Sequence, residues 1–519
     1  MTAARPSITF IAPGEFSRAV ARLPRVPRPD VIVLLVESIQ KGAALPWHRQ
    51  KLVLVLSTLR HFAEELRALG YRVDHRVSAS YEAGIVEAAR EHGAGRVLAT
   101  RGREWDIANE LTRAAGRLAD LSCTLELHED RGFYTTRERF ARWATGRKEL
   151  RMEWWYRELR REHDVLMLPD GTPVGGTWNF DAENRKPWPA SKAVPAPIRT
   201  EPDALTRRTM AQVASWSHAW GSVEGFDLPT TRRAARQTLA RFITERLPEF
   251  GPYEDAMRHG EHELLHSGLS SAINVGLLTP HEVVRAAERA YHAGHAPLPS
   301  VEGFIRQILG WREYVYGYYW HAMPSLRQVN ALGGTRALPV WYWAPDGEPY
   351  DGTTHEACDL TCLADTLRSV RDQGRVHHIP RLMVQSNFAT LLGVEPAALS
   401  RWFWAAFTDA YEWVQLPNVM GMATWGDGGQ MASKPYISGG AYIDRMSDYC
   451  ASCRYDVGQR TGPDACPFNA LYWDFIGRHA ERFAQHPRMA MMVRSWVKFP
   501  AAEQQAIRET ADAVRRRVP

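Results

Sequence analysis

Cysteine is scarce, with six in 519 residues. That excludes a disulfide-dense secreted scaffold. No stretch offers the ~18 uncharged apolar residues that a membrane-spanning helix needs. The start, Met1 to Pro13, lacks the charged segment and long apolar run of a secretory leader. No internal repeat and no low-complexity tail interrupt the chain. A dominant charge is missing too: 64 Lys and Arg stand against 59 Asp and Glu, a net of +5. So mild an excess permits nucleic-acid binding without requiring it. These absences predict a soluble cytoplasmic protein with no membrane partner. The length predicts two or three domains.

What is present is concentrated. Tryptophan is abundant, with 19 residues, which suits either a large helical core or a flat aromatic cofactor. Cys450 and Cys453 stand two residues apart, and Cys466 follows immediately before Pro467. Two thiolates at that spacing can grip one metal centre. A fourth thiolate is available upstream at Cys362 or, as a rival, Cys358. Four sulfurs suit tetrahedral zinc or an iron–sulfur cluster, and the closing Cys-Pro leans toward the cluster. Cys123 lies in an apparent strand and reads as core.

Along the chain, residues 1 to 130 alternate strand and helix signals. Ile8–Ile11, Val31–Val36, Tyr71–Val73, Arg96–Thr100 and Thr124–Leu127 read as strands. Helices lie between them, one running from Lys51 to Leu69 and stopping at Gly70. This pattern predicts a doubly wound parallel sheet of the Rossmann type. Ligands on such sheets sit at the carboxyl ends of the strands, where Glu37 falls. Residues 131 to 204 read as a connection, and 205 to 519 as an all-α domain with Gly and Pro breaks.

In that helical half the chain resembles the cryptochrome/photolyase superfamily. His266 to Leu278 is similar to its flavin phosphate-cradling segment, and Gly303 to Glu313 to its next signature. Asp409 to Trp413, with Leu416 to Val419, is similar to the segment around the isoalloxazine. With His377-His378, Ser433 to Tyr436 and the cysteines, the chain resembles the iron–sulfur bacterial group, the prokaryotic (6-4) photolyases.

The resemblance implies an enzyme that repairs damaged DNA with light. It would use FAD and a [4Fe–4S] cluster in the helical domain. An antenna chromophore, 6,7-dimethyl-8-ribityllumazine, would sit in the α/β domain against Glu37. The substrate would be single- or double-stranded DNA carrying a (6-4) pyrimidine lesion, bound by a monomer. A blue-light receptor that signals through flavin redox state is the alternative, and a zinc-stapled flavoprotein a third. The FAD contacts carried over are His266, Ser267, Leu269, Ser270, Asn274, Gln307, Trp311, Arg312, Asn387, Asp409, Gln415 and Asn418. Arg312 and Asp409 are expected to face each other under the ring. His378 is the expected acid, His377 its positioner, both on a helix, and Tyr436 lines the same pocket. Trp402 and Trp343 would relay electrons. Cys362, Cys450, Cys453 and Cys466 would hold the cluster, leaving Cys358 a spare thiol.

Three departures stand out. Gln415 replaces the glutamate of close relatives at the position facing flavin N5, and an amide cannot release a proton as a carboxyl can. Phe403 stands where a tyrosine follows the first relay tryptophan, and phenylalanine is much harder to oxidise. The turn Ala12-Pro13-Gly14-Glu15-Phe16 replaces the family's Gly-Asp-Gln-Leu, so weak or absent antenna binding is expected.

Overall fold

The computed structural model describes residues 5–519. The reading of the N-terminus begins on residues 1–4, which lie outside them. Five parallel strands form one sheet: β1 Ser7–Phe10, β2 Val31–Ser38, β3 Arg72–Ser78, β4 Arg96–Thr100 and β5 Thr124–His128. Their order is β3-β2-β1-β4-β5. The six residues Val31 to Val36 are all buried, as both faces of a parallel sheet should be. On one face Ile8, Leu34 and Val97 pack under the helices Tyr81–Glu91 and Trp105–Ala119, through Ile85 and Leu111. On the other, Val33 and Leu35 meet Leu59, Phe62 and Leu66 of the helix Arg49–Ala68. That second face is continuous with the core of the helical half.

The helix Arg49–Ala68 begins at His48, whose Nδ1 accepts from the Gln50 amide at 3.1 Å. It ends before Gly70, whose φ of +86° suits glycine. Helices Arg137–Ala144 and Met152–His163 lie within the segment read as a connection. They are buried in the main core through Phe140, Trp155 and Tyr156. The extended run of connecting chain therefore starts later, beyond His163. From Ala204 to Arg517 the chain is helical with short breaks.

The two halves are locked together by buried polar contacts. Lys51 sends its ammonium across to the carbonyl oxygens of Trp404 at 2.6 Å and Ala410 at 2.5 Å. Glu104 accepts from Lys41 at 2.7 Å and from the Glu412 amide at 2.7 Å. Gly276 backs onto the first turn so closely that a Cβ there would lie 2.1 Å from the Gly14 oxygen.

Burial holds several histidines neutral. His48, His281 and His479 are each pushed down to about 4. The unfolded chain, with histidines near ~6.5, binds more protons between those limits. Their stability contribution is therefore complete above ~6.5 and declines as pH falls toward ~4, by about 3 kcal/mol in full for His48. Melting temperature is expected to drop steadily from pH 7 to pH 5. A flat profile across that range would refute the assignment.

Candidate active site and metal centre

The flavin-type segment is organised around one buried carboxylate. Asp409 accepts two hydrogen bonds from Arg381, at 3.0 and 3.1 Å, and one from Ser270 at 2.7 Å. Burial alone would raise its pKa, but the Arg381 charge and these hydrogen bonds outweigh it and hold the carboxyl below its ordinary value. The Asn274 amide reaches the Asp409 carbonyl at 2.9 Å, and Ser271 meets Thr408 at 2.9 Å. Ser267 accepts from the Leu269 amide at 3.3 Å, and Leu269 itself is buried.

The expected facing of Arg312 and Asp409 does not occur. Arg312 donates to Glu313 at 3.1 Å and lies over the rings of Phe133 and Trp413. A widened helical turn at Arg306–Arg312 precedes it. Arg381, in the first turn of the helix that starts at His378, takes its place. Its guanidinium also covers the Phe407 ring, at 4.2 Å.

The other carried-over contacts divide. Gln307 donates to Glu254 at 2.6 Å, and burial raises the Glu254 carboxyl to about 7. Trp311 packs edge-on to Tyr314 at 6.1 Å. Asn387 is committed to protein: it donates to Ser438 and accepts from the Ser438 amide. Asn418 donates to the Val414 carbonyl at 2.7 Å. Gln415 is buried, its amide on the Ser400 hydroxyl at 3.1 Å.

The histidine pair differs from expectation in one respect. The helix starts at His378, and His377 precedes it. Pro380 is tolerated there because the first turn needs no amide donor. The two rings therefore separate into different environments. His377 is buried, accepts from the Ile379 amide through Nδ1 at 3.4 Å, and stacks on His266 at 4.3 Å and 14°. Burial pushes both of these rings well below their ordinary pKa. His378 is half exposed, with Nε2 3.6 Å from Asp255.

Nitrogens of His266, His377 and His378 fall within 4.8 Å of one another. The rings of His266 and His377 stack in parallel, while that of His378 stands edge-on to both. Tyr436 lies near Arg488, Asp181 and Arg185, and Arg185 also neighbours Tyr442. Tyr442 is the tyrosine close to Asp255. Glu254, Asp255, Arg381 and Tyr442 were not singled out from the sequence. The acidic pair beside the first signature was the one signal available.

The cysteines gather around a small apolar cavity lined by Cys362, Cys450, Cys453, Cys466, Ile443 and Phe468. Cys358 is buried outside that lining. A zinc ion with ~2.3 Å bonds needs its sulfurs under ~4 Å apart. The four sulfurs do not form a group within 4.8 Å of one another among the described residues. Four thiols lining one apolar cavity are the donor set of a metal centre. Burial pushes Cys450 up to about 12 and Cys466 up to about 11. A cationic centre is what would keep such sulfurs as thiolates.

Trp402 is buried, donates to the Tyr342 carbonyl at 2.9 Å, and meets the Tyr342 ring at 4.9 Å. Trp343 stacks on Tyr350 at 5.6 Å and meets Trp220 at 5.2 Å. Trp402 and Trp343 are thus separated by Tyr342. A cleft of about 250 Å³ between Gly334, Leu392, Phe475 and Arg478 contains none of the expected site residues.

At the sheet, strand order reverses between β1 and β4, the usual ligand crevice. Glu15 fills it: it takes a short hydrogen bond from Thr100 and one from the Ala12 amide at 3.4 Å. Burial first, then the Asp130 charge, raises Glu15 to about 8. Glu37 is occupied as well. Burial would raise it, but hydrogen bonds from His75 and Arg60 outweigh that and hold it at about 2.

Residues 9–228 match a family described as deoxyribodipyrimidine photo-lyase-related protein. A (6-4) photolyase of Agrobacterium fabrum is 39% identical over 518 residues, 98% of this chain and 99% of that protein. The chain belongs to the prokaryotic (6-4) photolyase family. An uncharacterized mimivirus protein, R855, matches over 101 residues at 29% identity, covering 20% of this chain. Among solved structures, a class III photolyase from Agrobacterium tumefaciens aligns over 99% of this chain and 98% of its own, with TM-score 0.55 and 15% identity. A Synechocystis cryptochrome aligns over 100% of both chains, with TM-score 0.53 and 13% identity. The fold is therefore that of photolyases and cryptochromes. No helix among the described residues is long and apolar enough to cross a membrane.

The (6-4) photolyase likeness leaves the ligand set to direct test. Cys362→Ser is expected to abolish bound iron, whereas Cys358→Ser retains about four irons per chain, measured by elemental analysis. Equal iron in both variants would sink the assignment. Arg381→Ala leaves Asp409 buried and unpaired, so it is expected to cost about 3 kcal/mol in urea unfolding. A loss below about 1 kcal/mol would show that the pair carries no such role.

Proposed function

We propose that the protein is a light-driven lyase that reverses (6-4) pyrimidine photoproducts in DNA. The observation that carries this reading is the division of labour in the histidine pair: one ring buried and neutral, the other half exposed beside a carboxylate. Bound FAD would supply the photoexcited electron that opens the lesion. Ser267 to Asn274 and the Asp409–Arg381 pair would hold it, and the small-residue segment lets backbone amides approach a phosphate. Cys362, Cys450, Cys453 and Cys466 would hold a [4Fe–4S] cluster.

The chain's own residues then have definite tasks. His378, placed by Asp255 at 3.6 Å, gives or holds the proton during hydroxyl transfer, as a half-exposed imidazole beside a carboxylate can. His377, kept neutral by burial, fixes that ring from behind. Arg185 and Arg488, near Tyr436, offer phosphate contacts at the pocket wall. A flipped, damaged base costs less to extrude than an intact one. Glu15, Glu37 and the docked first turn support a protein without a ribityllumazine antenna. Gln415 and Phe403 favour a second reading, a blue-light receptor. The retained histidine pair favours the enzyme.

Repair of a (6-4)-containing oligonucleotide under blue light, after chemical reduction, tests the two readings, with a cyclobutane dimer as control. The intact protein is expected to repair only the (6-4) lesion, and His378→Ala to lose roughly 10²-fold or more. No repair by the intact protein would leave the receptor reading. The purified protein is expected to carry no stoichiometric lumazine fluorescence. Its presence would overturn the antenna reading alone.

A further inference from the structure

Residues 257–266 run from the walls of the cysteine centre to the histidine pocket. At one end the Met257 amide donates to the Met446 carbonyl at 2.9 Å. The His259 amide donates to Asp448 at 2.8 Å, two residues before Cys450. The Gly260 amide donates to Asp365 at 3.2 Å, on the helix that carries Cys362. Asp365 also receives the Tyr449 hydroxyl, and the rings of His259 and His262 come within 3.5 and 3.9 Å of it. At the other end Glu263 pairs with Arg375 at 3.2 Å, two residues before His377. His266 then stacks on His377.

We propose that this strap lets the cysteine centre set the position of the pocket histidines, with Asp365 as its positioning residue. Asp365 is buried, yet it binds two cysteine-bearing segments and three strap positions at once. Tyr449 makes the second link, with its hydroxyl on Asp365 and its ring 5.8 Å from that of His259. If the sulfurs are released from their centre, the Cys362 helix and the 446–450 stretch lose their common anchor. The strap then loses its fixed end, and the His266–His377 stack loses its support. On this view the centre acts on the reaction through geometry. The inference rests on the (6-4) lyase reading for the activity it affects, but the strap itself is a structural assertion.

The test uses the holoprotein with FAD and iron bound. In Asp365→Asn, iron content is expected to match the wild type. Amide hydrogen exchange is expected to accelerate within 257–266, and kcat for repair to fall about tenfold with KM for lesion DNA unchanged. Wild-type protein stripped of iron should show the same accelerated amides. Should Asp365→Asn fail to fold, Tyr449→Phe removes one hydrogen bond to the same carboxylate and should show the same exchange pattern. Wild-type exchange across 257–266 in either the variant or the stripped protein overturns the proposal. So does loss of iron in step with loss of kcat, which would make Asp365 a support of the centre only. If the wild type repairs nothing, the lyase reading fails, and the exchange measurement still decides the strap.

Discussion

Three consecutive residues, Thr408, Asp409 and Ala410, hold three distant parts of the chain together. Thr408 and Asp409 take Ser270, Ser271 and Asn274. Arg381 closes on the Asp409 carboxylate. The Ala410 carbonyl takes Lys51 from the α/β half. A carboxylate in this position is expensive to bury alone, and its partners offset the cost only as a set. Lys51 shows the same constraint from the other side: burial pushes its ammonium down to about 7, while Glu104 draws it up. The domain interface and the flavin-type segment therefore share one electrostatic knot, and a change to either is felt at the other.

The same reasoning explains the histidine pocket. A buried imidazole loses its charged form because nothing pays back its hydration. His266 and His377 share a stack, so protonating one would place a charge against its neighbour. His378 is half exposed, with Asp255 3.6 Å away, and its ring stands edge-on to both buried rings.

How much of this was legible in sequence follows from the range of each interaction. The parallel sheet was legible because strands covered on both faces read as apolar runs, as in Val31 to Val36. The Cys450–Cys453 pair was legible because thiolate ligation imposes a short spacing, and the cavity lining brings Cys362 and Cys466 alongside it. The Asp409–Arg381 pair was not legible: its members lie 28 residues apart, with no local pattern to join them. Arg312 misled because its motif context fits the family, while its side chain turns toward Phe133. His377 and His378 are adjacent, and only the start of the helix between them separates a buried ring from an exposed one.

The first turn illustrates a trade between docking and an open crevice. Gly276 lies so close to the Gly14 carbonyl that it cannot carry a side chain, a Cβ on Gly14 would meet the Arg103 guanidinium, and the Phe16 amide donates to the Val275 carbonyl at 3.3 Å. That contact draws Glu15 into the strand-order reversal, where it accepts from Thr100 and the Ala12 amide, and burial first, then the Asp130 charge, raises its carboxyl pKa. Opening the crevice for an antenna would expose Glu15 and pull the turn from Val275. Val275 adjoins Asn274, which holds the Asp409 backbone. The first turn at the sheet's strand-order reversal and the flavin-type segment are thus held by the same contacts.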